Sequence, residues 1–149
     1  MLDVLSTDLV NKISEKGLLY VRSFIKGLDV PWQSFFQTEN KAEVEQMLRN
    51  SGTEFEWLEK DGLQTRTKTH GVIVHPLSGE RTFFNQVQLH HVSVLDEGDR
   101  NDLFELVGEN NLPRNVYFGD GSKISTEEMK IIGDAYEECA VRFDWRKSD

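Results

Sequence analysis

The chain has 149 residues, with 26 Asp and Glu against 17 Lys and Arg and a formal net charge of −9. Its cations are scattered rather than gathered into a stripe, which argues against nucleic acid as a partner, because phosphate binding needs clustered Lys and Arg. No stretch approaches the roughly 20 apolar residues of a membrane span. Asp3 and Asp8 make the start unlike a signal peptide.

One domain is the expectation for this length, and no linker, repeat or low-complexity tract marks an internal boundary. Hydrophobic residues make up 38%, including nine Phe and three Trp, enough for an ordinary core. The single Cys139 excludes an internal disulfide and fits a reducing compartment. A cytoplasmic location is expected.

Residues 2–16 place Leu5, Leu9 and Ile13 four apart on one helical face, with Ser6 or Thr7 as N-cap and Gly17 as the stop. Residues 18–24 (LLYVRSF) read as a strand. Residues 27–38, carrying Pro31, Trp32, Phe35 and Phe36, read as a loop or short helix. Asn40 opens a helix over 41–50, and Glu43 completes a capping-box pattern. Residues 53–58 and 63–69 flank Asp61-Gly62, a hairpin signal.

A second hairpin joins 71–75 to 81–86 across 76–80. Asp96 starts an acidic helix ending near Val107. Residues 110–121 form a loop rich in Asn, Gly, Pro and Asp, with a short strand at 116–118. Ser125-Thr126-Glu127-Glu128 caps a last helix that runs to about Ala140. The class is α+β.

Four histidines, His70, His75, His90 and His91, raise the question of a metal. His90 and His91 are adjacent, and on a strand they would face opposite ways. No His has Asp or Glu two residues on, so the usual first pair of a 2-His-1-carboxylate iron site is missing. Structural or surface roles are expected for all four. Cys139 follows Glu137 and Glu138, which disfavour its thiolate. No Gly-x-Ser-x-Gly elbow is present, and Gly119-Asp120-Gly121 is too short for a calcium loop.

Asn85 and Gln86 follow two aromatics on what reads as a central strand. Buried amides there need partners, since an unmet one costs about 1–3 kcal/mol. They could bond a neighbouring loop, such as 117–121, or form a pocket wall that orients a polar substrate.

Several blocks together resemble a known family. They are Gly17-Leu18-Leu19-Tyr20-Val21-Arg22, Trp32-Gln33-Ser34-Phe35-Phe36-Gln37-Thr38 with Val44-Glu45, Trp57, and Leu63-Gln64-Thr65-Arg66. They continue with His75-Pro76-Leu77-Ser78-Gly79-Glu80-Arg81-Thr82-Phe83-Phe84-Asn85-Gln86, then 112–121, then Trp145 to Asp149. In order and spacing they are similar to the taurine dioxygenase-like (TauD/TfdA) iron(II)/2-oxoglutarate-dependent oxygenases. Within that family they are nearest the clavaminate synthase-like proteins and the amino-acid hydroxylases of nonribosomal-peptide pathways.

The resemblance implies a double-stranded β-helix, or jelly roll, with flanking helices and an insert. It implies iron(II) and 2-oxoglutarate as cofactors of a complete enzyme that hydroxylates a small substrate. That substrate would be amino-acid-like, free or carrier-tethered, or a carboxylic acid.

The family's His-x-Asp and Gly-Gly-Glu-Thr-like segments would lie before Met1, and its distal His and Arg after Asp149. Where the family commonly reads Trp-x-x-Gly-Asp, this chain has Trp145-Arg146-Lys147-Ser148-Asp149. Residues 1–149 are therefore expected to be the central part of such a domain. They carry no catalytic or metal-binding residue, bind no cofactor by themselves and are inactive in isolation. Phe84, Asn85 and Gln86 are the candidate substrate wall, while Trp32, Phe35 and Thr65 pack the insert against the barrel. The rival expectation is a non-catalytic module, binding a small molecule or a protein on a degenerate oxygenase scaffold. Oligomeric state is not legible.

Overall fold

The computed structural model describes residues 1–143, so the resemblance at 145–149 lies outside the described residues. Helix α1 (Thr7–Lys16) begins where the Ser6 hydroxyl accepts from the Leu9 N–H. Ser6 is thus the N-cap, as its position in the sequence implies, and Leu5, just before the cap, is buried beside Leu9, Val10 and Ile13. Gly17 ends it at φ 68°, and the chain turns straight into strand β1 (Leu18–Phe24).

Helix α2 (Trp32–Phe36) is a single short turn, and α3 (Lys41–Asn50) follows. Asn40 caps α3 through Oδ1 to the Ala42 N–H, but the reciprocal half of the expected capping box is not made. The Asn40 N–H donates to the Thr38 hydroxyl, and the Glu43 carboxylate accepts from Thr38 Oγ1 and Asn40 Nδ2. Thr38 already satisfies the backbone donor that Glu43 would have taken.

Strands β2 (Glu54–Leu58) and β3 (Gly62–Thr69) form the first hairpin. Its turn is Glu59–Asp61, with Lys60 and Asp61 at φ 55° and 64°, not the two-residue Asp61-Gly62 turn that the sequence signals. Gly62 instead pairs with Leu58, and Leu63 with Trp57. This register sets two apolar side chains opposite each other on one face, and apolar burial outweighs the local turn preference. Trp32 Nε1 and Gln33 Nε2 then donate to the Asp61 carbonyl and carboxylate, at 3.0 and 2.8 Å.

The second hairpin is the ribbon of β4 (Val72–Val74) and β5 (Arg81–Phe83), separate from the main sheet. Asn85 and Gln86 lie past its end, so the expected central strand is corrected. They lead into α4 (Val87–His90) and a 3-10 turn, Val92–Val94. His90 and His91 accordingly sit at the junction of two helical turns rather than on a strand.

Helix α5 (Glu97–Val107) is capped by Asp96 as the acidic run implies. Strand β6 (Arg114–Phe118) is two residues longer than expected. Ser125 and Glu128 close a full capping box on α6 (Thr126–Cys139).

The main sheet is antiparallel in the order β2-β3-β1-β6, and the class is α+β. Along β1 the side chains alternate, so Leu18, Tyr20, Arg22 and Phe24 share one face. Two cores form on that face. Leu18, Val116 and Phe118 pack with α1 and α6 through Leu9, Ile13, Met129 and Ile132. Phe24 and Leu63 pack with α2 and α3 through Trp32, Val44 and Leu48. Thr65, expected to pack, is buried between them. Phe35 is half exposed but rests on Phe24 at 5.0 Å between ring centres.

The first core is closed by a tight crossing. The Gly119 N–H donates to the Gly17 carbonyl at 3.0 Å, and a Cβ on Gly119 would lie 2.1 Å from the Lys16 carbonyl oxygen. Gly119→Ala is expected to cost about 1–3 kcal/mol. The check is a lower urea midpoint with unchanged slope; an unmoved midpoint would show that α1 and the loop separate freely.

Candidate functional site

Between the two cores the same sheet face turns polar. Tyr20 and Arg22 of β1 lie there, opposite Thr67 and Thr65 of β3, while Arg114 of β6 faces Arg22. Asp29, from the loop after β1, takes a hydrogen bond from Arg22 Nη2 at 3.0 Å. It takes longer ones from Arg114 Nε and Nη2, both at 3.4 Å. The Arg22 guanidinium lies over the Phe24 and Phe35 rings, 4.6 and 4.5 Å from their centres. Its Nε is buried and has no protein acceptor.

A cavity of about 320 Å³ opens along this seam, lined by Tyr20, Arg22, Thr65, Thr67, His90 and Arg114 among others. Burial alone would raise the Asp29 carboxyl. The Val30 N–H and the two guanidiniums outweigh it and hold the group below the usual carboxylate range.

His90 closes one end. Its ring meets Tyr20 edge-on, 5.6 Å between centres at 87°, and Nε2 lies 3.2 Å from Gln86 Oε1. Burial first, then Arg114 and Arg22, lowers its pKa, so the imidazole is neutral at neutral pH. The Tyr20 hydroxyl accepts from the Gln86 N–H at 2.9 Å.

Of the three residues singled out from sequence, Gln86 alone reaches this seam, through Tyr20 and His90. Asn85 works locally: Nδ2 donates to the Gly71 carbonyl at 2.8 Å and Oδ1 accepts from the Val87 N–H at 3.1 Å. Its partners are thus Gly71 and Val87, not the 117–121 loop. Phe84 is 66% exposed. Asn85 and Gln86 also border a second cavity of about 440 Å³ with Gln88, Gly133 and Tyr136.

Sequence reading passed over Arg22, Asp29 and Arg114. The signal available was Arg22 itself, a cation in phase with Leu18, Tyr20 and Phe24 in an apolar strand. Asn115 and His91 were missed as well. Asn115 Oδ1 accepts from the Val92 and Val116 N–H groups. His91 Nδ1 accepts from the Ser93 N–H at 3.1 Å and lies 2.8 Å from the Ser93 hydroxyl. Among the described residues no group of three His, Cys, Asp or Glu side chains could hold a metal ion.

No protein-family model matches the chain. It is similar to dapdiamide synthesis protein DdaC of Enterobacter agglomerans. The two are 32% identical over 149 residues, which is the whole of this chain and 45% of DdaC. The chain thus spans less than half the length of that curated relative. No helix among the described residues is long and apolar enough to cross a membrane.

The two histidines give the fold a pH dependence. Burial lowers both pKa values from the ordinary 6.5, aided at His91 by Arg100 and partly opposed there by the nearby Ile124 backbone. The unfolded chain takes up protons near 6.5 that the folded chain resists, so stability rises with pH in this window. Their contribution is present above about 6.5 and is lost as pH falls through the folded values. Imidazole NMR titrations should give midpoints below 6.5 for both, with thermal stability dropping between about pH 7 and pH 5. Midpoints at or above 6.5 would contradict the burial described.

Proposed function

We propose that this chain forms the central part of an iron(II)/2-oxoglutarate-dependent oxygenase acting on a small amino-acid-like or carboxylic substrate, free or carrier-tethered. The observation that carries the reading is the ordered series of oxygenase-like blocks from Gly17 to Gly121 in one chain. The end-to-end similarity to a protein more than twice as long supports the placement within a larger domain. That the relative is named for the synthesis of dapdiamide supports a biosynthetic setting.

On this reading the four-stranded sheet is part of one wall of a jelly roll. Its helix-covered face points outward. The opposite face, with Leu19, Val21, Leu58, Gln64, Arg66 and Tyr117 lining a trough of about 600 Å³, turns toward the barrel interior.

The described residues do not fit an iron site. His75 is tied to its own turn through the Ser78 N–H, His90 to Gln86, and His91 to Ser93. No carboxylate joins two imidazoles among the described residues. The reading therefore assigns iron and 2-oxoglutarate to polypeptide on either side of the chain. To residues 1–143 it assigns shape and support. Gln86 orients His90 and Tyr20, and Asn85 fixes the entry to α4 against Gly71.

The rival reading, a non-catalytic binding module, is favoured by one observation: the seam around Arg22 is built wholly from residues of this chain. The two separate on titration with iron(II) and 2-oxoglutarate under anaerobic conditions. The 149-residue chain should show no metal-to-ligand charge-transfer band. The polypeptide encoded together with its flanking reading frame should show one and should release succinate in air. A band from the 149 residues by themselves, or none from the extended polypeptide, would overturn the proposal.

A further inference from the structure

We propose that the seam between the two cores is a binding site for a monocarboxylate, held by Arg22 and Arg114. The inference concerns the helix-covered face and stands whether or not the oxygenase reading holds, because every residue it needs is in this chain.

Charge comes first. Two guanidiniums face one another across β1 and β6, and the single carboxylate between them is Asp29. The other ionisable groups at the seam are His90 from α4, with its pKa lowered, and Tyr20 from β1, with its pKa raised, so both are neutral at neutral pH. One positive charge is left over, which suits a monoanion.

Donors come second. Asp29 meets Arg22 through Nη2. The Arg22 Nε is buried with no protein acceptor, and a buried ionised donor left unmet is costly. A guanidinium presents its donors in a planar fork that a carboxylate matches. The Phe24 and Phe35 rings fix the plane of that fork from one side.

Room comes third. The cavity of about 320 Å³ opens at this point, and Thr65 and Thr67 line it beside Tyr20 and His90. The hydroxyls supply further neutral donors. The apolar wall of Phe24, Phe35, Phe36 and Leu48 would take a short aliphatic chain, and no acidic side chain lines the cavity itself.

Titration of the 149-residue chain with butyrate, with butyramide as the neutral isostere, tests the site. The readouts are the Arg22 Nε–H resonance and the backbone amides of Thr65 and Arg114. Butyrate should shift all three saturably, and butyramide should not. Arg114→Gln, at an exposed edge position where folding is retained, should weaken butyrate binding roughly tenfold or more, and Arg22→Gln at least as much. Absence of saturable shifts with butyrate overturns the proposal. So does an equal response to butyramide, or unchanged butyrate affinity in Arg114→Gln with native amide dispersion.

Discussion

One seven-residue strand organises this protein. Leu18 and Phe24 sit at opposite ends of β1 on the same face, each fully buried in a different core. The β-pleat allows only Tyr20 and Arg22 between them on that face. The two core anchors are thereby held six residues of strand apart, roughly 20 Å at the usual rise. Whatever occupies the interval must share the helix-covered side with two hydrophobic clusters. A cation there would be expensive, because burying an unpaired charge costs several kcal/mol. Asp29 and the aromatic rings under Arg22 are what make the position tolerable.

Register then spreads this arrangement across the sheet. Because β3 pairs Thr65 with Arg22 and Thr67 with Tyr20, its polar threonines fall in the seam and Leu63 falls in the second core. A slip of one residue would bring Gln64 and Arg66 to the covered face and turn Leu63 away. The left-handed Lys60-Asp61 turn belongs to the same solution. It sets the β2–β3 register that brings Trp57 opposite Leu63, and its Asp61 carbonyl receives the Trp32 indole N–H. The turn geometry is offset by what it brings together: Trp32 of α2, fully buried, packs edge-on against the partly buried Trp57 of β2, 5.1 Å between ring centres.

The elements whose signals are local were legible in the sequence. Ser6, Asn40, Asp96 and Ser125 each cap the helix that the pattern places after them. The strands at 18–24 and around 53–69 are present for the same reason. Partnership was not legible. Whether Asp61-Gly62 or Glu59–Asp61 makes the turn depends on which apolar residues meet across the strands, and local dihedral preference does not decide that. Asn85 and Gln86 read as strand residues because they follow Phe83 and Phe84, yet the ribbon ends before them and Asn85 Oδ1 accepts from the Val87 N–H at the start of the next helix. The seam was hidden for another reason. Arg22, Asp29 and Arg114 are brought together by the β1–β6 pairing, which joins positions far apart in sequence. The alternation of β1 marks Arg22 as anomalous, but nothing local names its partners.

The opposite face of the sheet shows what the cores leave undone. Its β2–β3 half carries Glu54 and Glu56 against Lys68 and Arg66, with ion pairs at 3.9 and 3.7 Å, and is well suited to water. Such exposed pairs contribute little to stability. Its β1–β6 half carries Leu19, Val21 and Tyr117, flanked by the 109–111 turn and the 121–123 loop. Gln64 joins the halves, donating to Ser23 and to the Asn110 carbonyl while accepting from Arg66. A sheet face split in this way, charged on one side and half-buried and apolar on the other, fits one covered along part of its width. On the proposed reading the apolar half meets the rest of a jelly roll and the charged half stays at the rim. The outward seam around Arg22 then lies across the sheet from that interior, so ligand held there would act on the strands from behind.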